Sequence, residues 1–263
     1  PPAPLRCRVP SHASSPSPAA SGAPPAPLPA WAPRLAGKFL VFEGPDGCGK
    51  STQLRRLAEH LRAAGVPVLD VREPGGTDVG EKIRAVLLDK AHDGMALRCE
   101  MLLYMASRAE LVEKKIRPAL ARNECVLADR FVCSTLAYQG AAGGLPEADI
   151  RAAARIAVGD TWPDLTLVYD CDEETAARRA GIVVPATAGR AGSRGKKGGA
   201  PTSTSLFADR MEDRDAAFRR AVRESYLAQA KADPARHLLI DARPAPDEVW
   251  AHTLAALGAW AQR

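Results

Sequence analysis

Several things are missing from this 263-residue chain, and each absence removes a class of protein. No stretch approaches 18 consecutive apolar residues, which removes a membrane-spanning helix. None of the six cysteines forms a CxxC pair, and their spacings match no zinc template. Several lie inside apolar runs (Cys125 in ECVLAD, Cys171 in LVYDCD), so they read as buried free thiols of a reducing, cytoplasmic compartment. Acidic residues are absent before Glu43 and again between Glu174 and Asp209, so the formal charge of +5 is concentrated in two local segments. Nucleic-acid binding calls instead for a basic face or stripe. A basic site serving an anionic small molecule accounts for part of the charge.

What is present changes character along the chain. Residues 1–33 carry half of the 22 prolines, with Ala and Ser filling most of the rest. Such a segment buries too little apolar surface to offset its ordering entropy, so a disordered extension is expected over 1–36. Its acid-free Ser, Ala and Arg content also leaves organelle targeting open. From 37 to 263 the pattern is that of one folded domain. KFLVFEG is a short apolar run ending in glycine, as a buried parallel strand reads. A helix follows from about Gly49 to Ala64, with Leu54, Leu57, Ala58 and Leu61 on one face. VPVLDVRE, ECVLAD, PDLTLVYD and HLLIDA read as four further strands. Helical stretches are expected near 79–90, 95–121, 132–140 and 146–158, and after the last two strands. Strands alternating with helices predict an α/β fold, a five-stranded parallel sheet covered by helices on both faces. Residues 181–208 break this rhythm with six glycines, the cluster Arg190, Arg194, Lys196 and Lys197, and no acid. They read as an inserted basic loop.

The most specific local signal is Gly44-Pro45-Asp46-Gly47-Cys48-Gly49-Lys50-Ser51, which matches GxxxxGK[ST] between a strand and a helix. Triphosphate oxygens need a ring of backbone N–H donors, and glycine lets the backbone wrap that closely. Lys50 supplies charge to the β- and γ-phosphates, Ser51 offers a hydroxyl to Mg²⁺, and Thr52 continues the loop into the helix. The helix N-terminus is aimed at the same anion. GTPases, small-molecule kinases and ATP-driven machines share this loop. A GTPase would carry a base-reading NKxD segment late in the chain, and none is present. The length is too small for most motor ATPases, which leaves a small-molecule kinase that binds ATP.

Four further segments narrow the choice. Arg72-Glu73-Pro74-Gly75-Gly76-Thr77 follows the second strand. Asp129-Arg130-Phe131, with Ser134-Thr135 and Ala137-Tyr138-Gln139-Gly140, follows the third. Leu103-Tyr104-Met105-Ala106-Ser107-Arg108 lies between them, and Asp209-Arg210-Met211-Glu212 stands late in the chain. Together with FEGPDGCGKST, these resemble the bacterial thymidylate kinases in order and spacing, over about 38–260 outside the insert. The resemblance implies the three-layer P-loop nucleoside monophosphate kinase fold. It also implies transfer of a phosphoryl group from ATP to dTMP with Mg²⁺, serving dTTP synthesis, in a cytoplasmic homodimer with neither nucleic acid nor membrane as partner. A kinase for another deoxynucleoside or nucleotide is the nearest alternative. A non-catalytic nucleotide-binding module is the alternative from another class.

By the same resemblance, Arg72 and Arg130 clamp the acceptor phosphate, a task suited to planar guanidinium groups. Tyr104 stacks on the base where phenylalanine is common, and Arg108, four residues on and so on the same helix face, bonds to a base carbonyl. Thr135 and Gln139 contact the base, and Tyr138 presses on the sugar. Asp46 meets the deoxyribose 3′-hydroxyl or the metal's water shell. Asp129, ending an apolar strand, suits Mg²⁺ together with Ser51, or else caps the following helix. Lys50, Asp46, Arg130 and Arg210 are the expected catalytic set. One arrangement within the family carries an arginine in the phosphate loop, but here that position is Gly47. The catalytic charge is therefore expected from the lid, with Arg178, Arg179, Arg190, Arg194 and Arg210 as candidates and Arg210 preferred. The insert is either an exposed loop without catalytic part or a set of basic groups that dock on ATP.

Overall fold

Residues 30–180 and 216–263 are described by the computed structural model. Among them, five strands form one parallel sheet in the order β2-β3-β1-β4-β5. They are β1 (Phe39–Glu43), β2 (Val68–Arg72), β3 (Cys125–Asp129), β4 (Leu165–Asp170) and β5 (His237–Asp241), each inside an apolar run read from the sequence. All of β1 is buried at the centre, whereas the edge strands β2 and β5 are only partly so.

The pleat divides the core in two, because successive side chains of a strand point to opposite faces. Leu40 and Phe42 join Leu54, Leu57 and Leu61 of α1 (Lys50–Ala63) and Leu257 of α9 (Pro246–Ala261). Phe39 and Val41 join Met101 and Met105 of α3 (Leu97–Leu111) and Ile150 and Ala154 of α6 (Glu147–Val158). Each fully buried aliphatic side chain of this kind contributes about 1.5–3 kcal/mol. The strands run parallel and in register, so their carboxyl ends meet at one edge: Asp129 pairs with Phe42 on one side and with Arg72 on the other. Ligands of open α/β sheets collect at that edge.

The remaining helices frame the same edge. Thr77 caps α2 (Asp78–Leu88), its hydroxyl accepting from the Gly80 N–H at 2.9 Å. The single helix expected over 95–121 is instead α3, a π-helical turn over Val112–Ile116, and α4 (Arg117–Ala121). Pro118 has no N–H to return to the preceding turn, and the ladder loosens just before it. The stretch expected near 132–140 begins as α5 (Val132–Thr135) and continues as a π-helix over Leu136–Ala142. α7 (Glu173–Ala180) and α8 (Ala216–Ala232) lie on either side of the residues outside the description.

One boundary moves. Trp31, Ala32 and Leu35, assigned by composition to the disordered extension, are buried against the α1/α9 side of the core. The Trp31 ring lies so close to α9 that a Cβ at Gly258 would come within 2.7 Å of its Nε1. The two large apolar residues near the end of that proline-rich stretch outweigh its composition. Residues 1–29, the insert over 181–208 and the catalytic candidate Arg210 lie outside the described residues. Cys48, Cys125 and Cys171 are buried free thiols as expected, Cys133 is half-buried, and Cys99 is exposed. No described helix is long and apolar enough to cross a membrane.

Candidate active site

The phosphate loop turns on residues in the left-handed region. Gly44, Gly47 and Gly49 have φ of 139°, 80° and 90°. Gly47 is the most constrained, since a Cβ there would stand 2.1 Å from the backbone oxygen of Ala176 in α7. A side chain at this position would therefore push α7. Gly49 caps α1 without a side-chain hydrogen bond, so no side chain of the cap competes for the first N–H groups of the helix. Lys50 is buried, with its ammonium 3.6 Å from Asp46.

Ser51 and Asp129, the two residues expected at the metal, lie side by side, the Ser51 hydroxyl donating to Asp129 Oδ2. The other carboxylate oxygen of Asp129 is buried and has no hydrogen-bond partner in the structure. A hydroxyl beside a carboxylate with a spare buried oxygen is the hard-oxygen donor set that Mg²⁺ prefers.

Next to the loop opens a cleft whose empty space, counted out into open solvent, is about 520 Å³. Asp46, Tyr104, Arg108, Arg130, Thr135, Tyr138 and Gln139 all line it, together with Glu73, Pro74, Leu88 and Ser134. Its end nearer the phosphate loop is organised around Arg130. That residue has φ of 72°, a conformation costing a non-glycine residue about 1–3 kcal/mol and retained only where its surroundings fix it. Its Nη1 donates to the Ser134 hydroxyl at 3.0 Å and to the Tyr226 hydroxyl at 3.1 Å. Its Nη2 donates to Asp46 and to the Tyr138 hydroxyl. Burial works to raise the Asp46 carboxyl, but the charges of Arg130 and Lys50 outweigh it and hold it at about 2. Behind them lies Glu43, fully buried, accepting from the Phe131 and Ser134 N–H groups at 2.8 and 3.1 Å. It accepts also from the Ser134 and Tyr226 hydroxyls at 2.6 and 3.0 Å. Burial raises its carboxyl above the ordinary range, against the pull of Arg130.

The opposite end is built on α3. Arg108 is buried to 1% exposure beside Glu73 at 3%, and its Nε donates to Glu73 Oε2 at 2.7 Å. Gln139 donates to Glu100 at 2.8 Å, and Thr135 accepts from Arg108 at 3.2 Å. Burial pushes the Glu73 carboxyl up, to about 7, against the pull of the Arg108 guanidinium.

Two expected residues stand elsewhere. Arg72 does not line the cleft; it is about half exposed at the end of β2 and donates to Glu81 at 3.2 Å. Arg179, a candidate for the transferring phosphate, is committed to the turn before α9, donating to the carbonyls of Ala242, Arg243 and Pro244 at 2.6–2.9 Å. Its guanidinium neutralises carbonyl dipoles there. Arg178, in the same turn of α7, is exposed. Residues given no role by the sequence are also part of the site. Glu43 and Glu73 stand inside the motifs, next to recognised positions, and their carboxylates were the available signal. Tyr226 had none.

A family model described as thymidylate kinase matches residues 42–182. The thymidylate kinase of Cereibacter sphaeroides is 47% identical over 224 residues, covering 84% of this chain and 94% of that protein. That of Pseudomonas syringae pv. tomato is 45% identical over 208 residues, covering 79% and 89%. The crystal structure of thymidylate kinase from Ehrlichia chaffeensis is similar with a TM-score of 0.62 at 30% identity, covering 84% of this chain and 98% of that one.

Proposed function

The chain belongs to the thymidylate kinase family and phosphorylates dTMP to dTDP with ATP, and from that premise we propose how its residues divide the work. ATP lies along the phosphate loop, with Lys50 and the N-terminus of α1 on its β- and γ-phosphates. Ser51 and Asp129 would hold Mg²⁺, which would supply charge neutralisation on the transferring group. dTMP lies in the adjacent cleft, with its base between Tyr104, Arg108, Thr135 and Gln139 and its phosphate on Arg130. Tyr138 packs on the sugar, and Asp46 accepts from the 3′-hydroxyl. Arg72 leaves Glu81 for the acceptor phosphate when that dianion arrives.

An oxygen of the dTMP phosphate attacks the γ-phosphorus of ATP, the bond to the β–γ bridging oxygen breaks, and ADP leaves. The attacking oxygen is already anionic, so no side chain has to remove a proton. The protein contributes position, charge and exclusion of water. The observation that carries this reading is Arg130: one guanidinium touches Asp46 of the phosphate loop and also lines the acceptor cleft. A donor and an acceptor phosphate placed on either side of it would meet. The remaining positive charge comes from the lid, with Arg210 as the assigned residue.

The active form is a homodimer in the cytoplasm. Exposed Val79 and Val86 on α2, Leu102 on α3 and Ile156 on α6 support the dimer, since these helices pack as neighbours. Steady-state turnover with ATP and a panel of dTMP, dUMP, dCMP, dGMP and thymidine tests the assignment. The expected outcome is the highest kcat/KM for dTMP, and equal use of the panel would overturn it.

A further inference from the structure

The Glu73–Arg108 pair has an imbalance that an ion pair serving stability alone would not have. Arg108 is held at all three nitrogens. Nε donates to Glu73 Oε2 at 2.7 Å, and Nη2 donates to the Phe131 carbonyl at 3.0 Å. Nη1 donates to Thr135 Oγ1 at 3.2 Å and reaches the Met105 sulfur at 3.1 Å. The Phe131 ring covers the guanidinium at 5.2 Å. A thioether is a poor acceptor, so the donor on the Met105 side is the one a ligand carbonyl can take at least cost. Glu73 is equally fixed: its N–H donates to the Asp129 carbonyl at 3.0 Å, tying it to the end of the sheet. Its Oε1, however, is buried without a partner, and the residue lines the substrate cleft. Buried carboxylate oxygens are normally satisfied, and leaving one bare has a cost the protein alone does not recover.

We infer that Glu73 is a positioning residue that sets base discrimination. It aims Arg108 so that its spare donor meets the 4-carbonyl of a pyrimidine. This rests on the reading of the cleft as the dTMP site. A base with a 4-carbonyl accepts from this donor, directly or through one water. A 4-amino pyrimidine sets a donor against that donor instead. A hydrogen-bonding site rejects a mismatched partner strongly because its own buried groups are then left unpaired.

The test is Glu73→Gln, assayed with dTMP and dCMP. The substitution keeps the shape of the side chain, but removes the charge that holds Arg108 and offers a donor where an acceptor stood. The expected result is a rise of about tenfold or more in KM for dTMP with kcat within about threefold. The dTMP-to-dCMP ratio of kcat/KM falls by about tenfold, and KM for ATP stays unchanged. A purely structural pair would lower Tm and leave that ratio within about twofold, and this result overturns the proposal. If the glutamine variant does not fold, Glu73→Asp takes its place in the same assay, with the same two outcomes. A double-mutant cycle with Arg108→Gln supplies the second readout. Positioning requires the two substitutions to be non-additive in discrimination, whereas additive effects contradict it. A wild-type enzyme that did not prefer dTMP would refute the acceptor assignment instead, while the cycle would still decide whether Glu73 acts through Arg108.

Discussion

The two ends of the cleft each bury an arginine, but they balance its charge differently. At the proposed base end Arg108 meets one carboxylate, Glu73, with both side chains almost fully enclosed. At the proposed phosphate end Arg130 meets Asp46 directly, has Glu43 close behind, and shares hydrogen bonds with two phenols and a serine. The proposed placement of the ligand explains the difference. A thymine ring arrives neutral, so the pair that receives it has to be neutral already, or a bare charge would be stranded in a dry site. A phosphate arrives as a dianion, so the arginine waiting for it needs counter-charges that can be exchanged. Asp46 is such a group, being about a quarter exposed and ionised down to low pH. Glu43, with four donors around it, is the fixed part of the scaffold.

Acid should separate the ends. The Asp46 carboxyl is held at about 2 from an ordinary 3.8, so its contribution is fully present above about pH 4 and is lost as pH falls through about 2. The loss is on the order of 2 kcal/mol. Urea unfolding of the wild type and of Asp46→Asn across this window measures it. The difference between the two curves should shrink toward pH 2; a constant difference would mean that Asp46 is not held by Arg130. A smaller effect is expected from Tyr226→Phe, which removes a hydroxyl shared by Glu43, Arg130 and Ser134 but touches nothing at the base end. Stability should fall by about 1–2 kcal/mol. KM for dTMP should rise while the dTMP-to-dCMP ratio holds, and a changed ratio would show that the ends are not independent.

The strands and the loop were legible because their signals are local. Each strand is an apolar run of five or six residues, and the phosphate loop is contiguous. Tyr104 and Arg108 could be placed on one helix face because four residues make about one turn. What escaped was non-local. Tyr226 lies 96 residues from Arg130 and 183 from Glu43, on α8, and nothing in its neighbourhood marks it. Glu43 and Glu73 were visible as letters inside motifs, but the arginine or helix each holds depends on how the strand ends line up. Arg72 shows the converse. The motif names it as an acceptor clamp, yet without a phosphate its most favourable partner is Glu81, one turn into the next helix. Trp31 was hidden by the prolines around it, since composition averages over a window and a single buried indole does not.

Calorimetric titration of dTMP and thymidine into the wild type, Arg130→Ala and Arg108→Ala tests the division of the cleft most directly. The two ligands differ only by the phosphate, so their difference in affinity reports the phosphate end alone. The division predicts that Arg130→Ala removes most of that difference, with dTMP weakened by about 100-fold and thymidine by less than about threefold. Arg108→Ala should weaken both ligands by a similar factor and leave the difference intact. Equal weakening of dTMP and thymidine by Arg130→Ala would contradict the division.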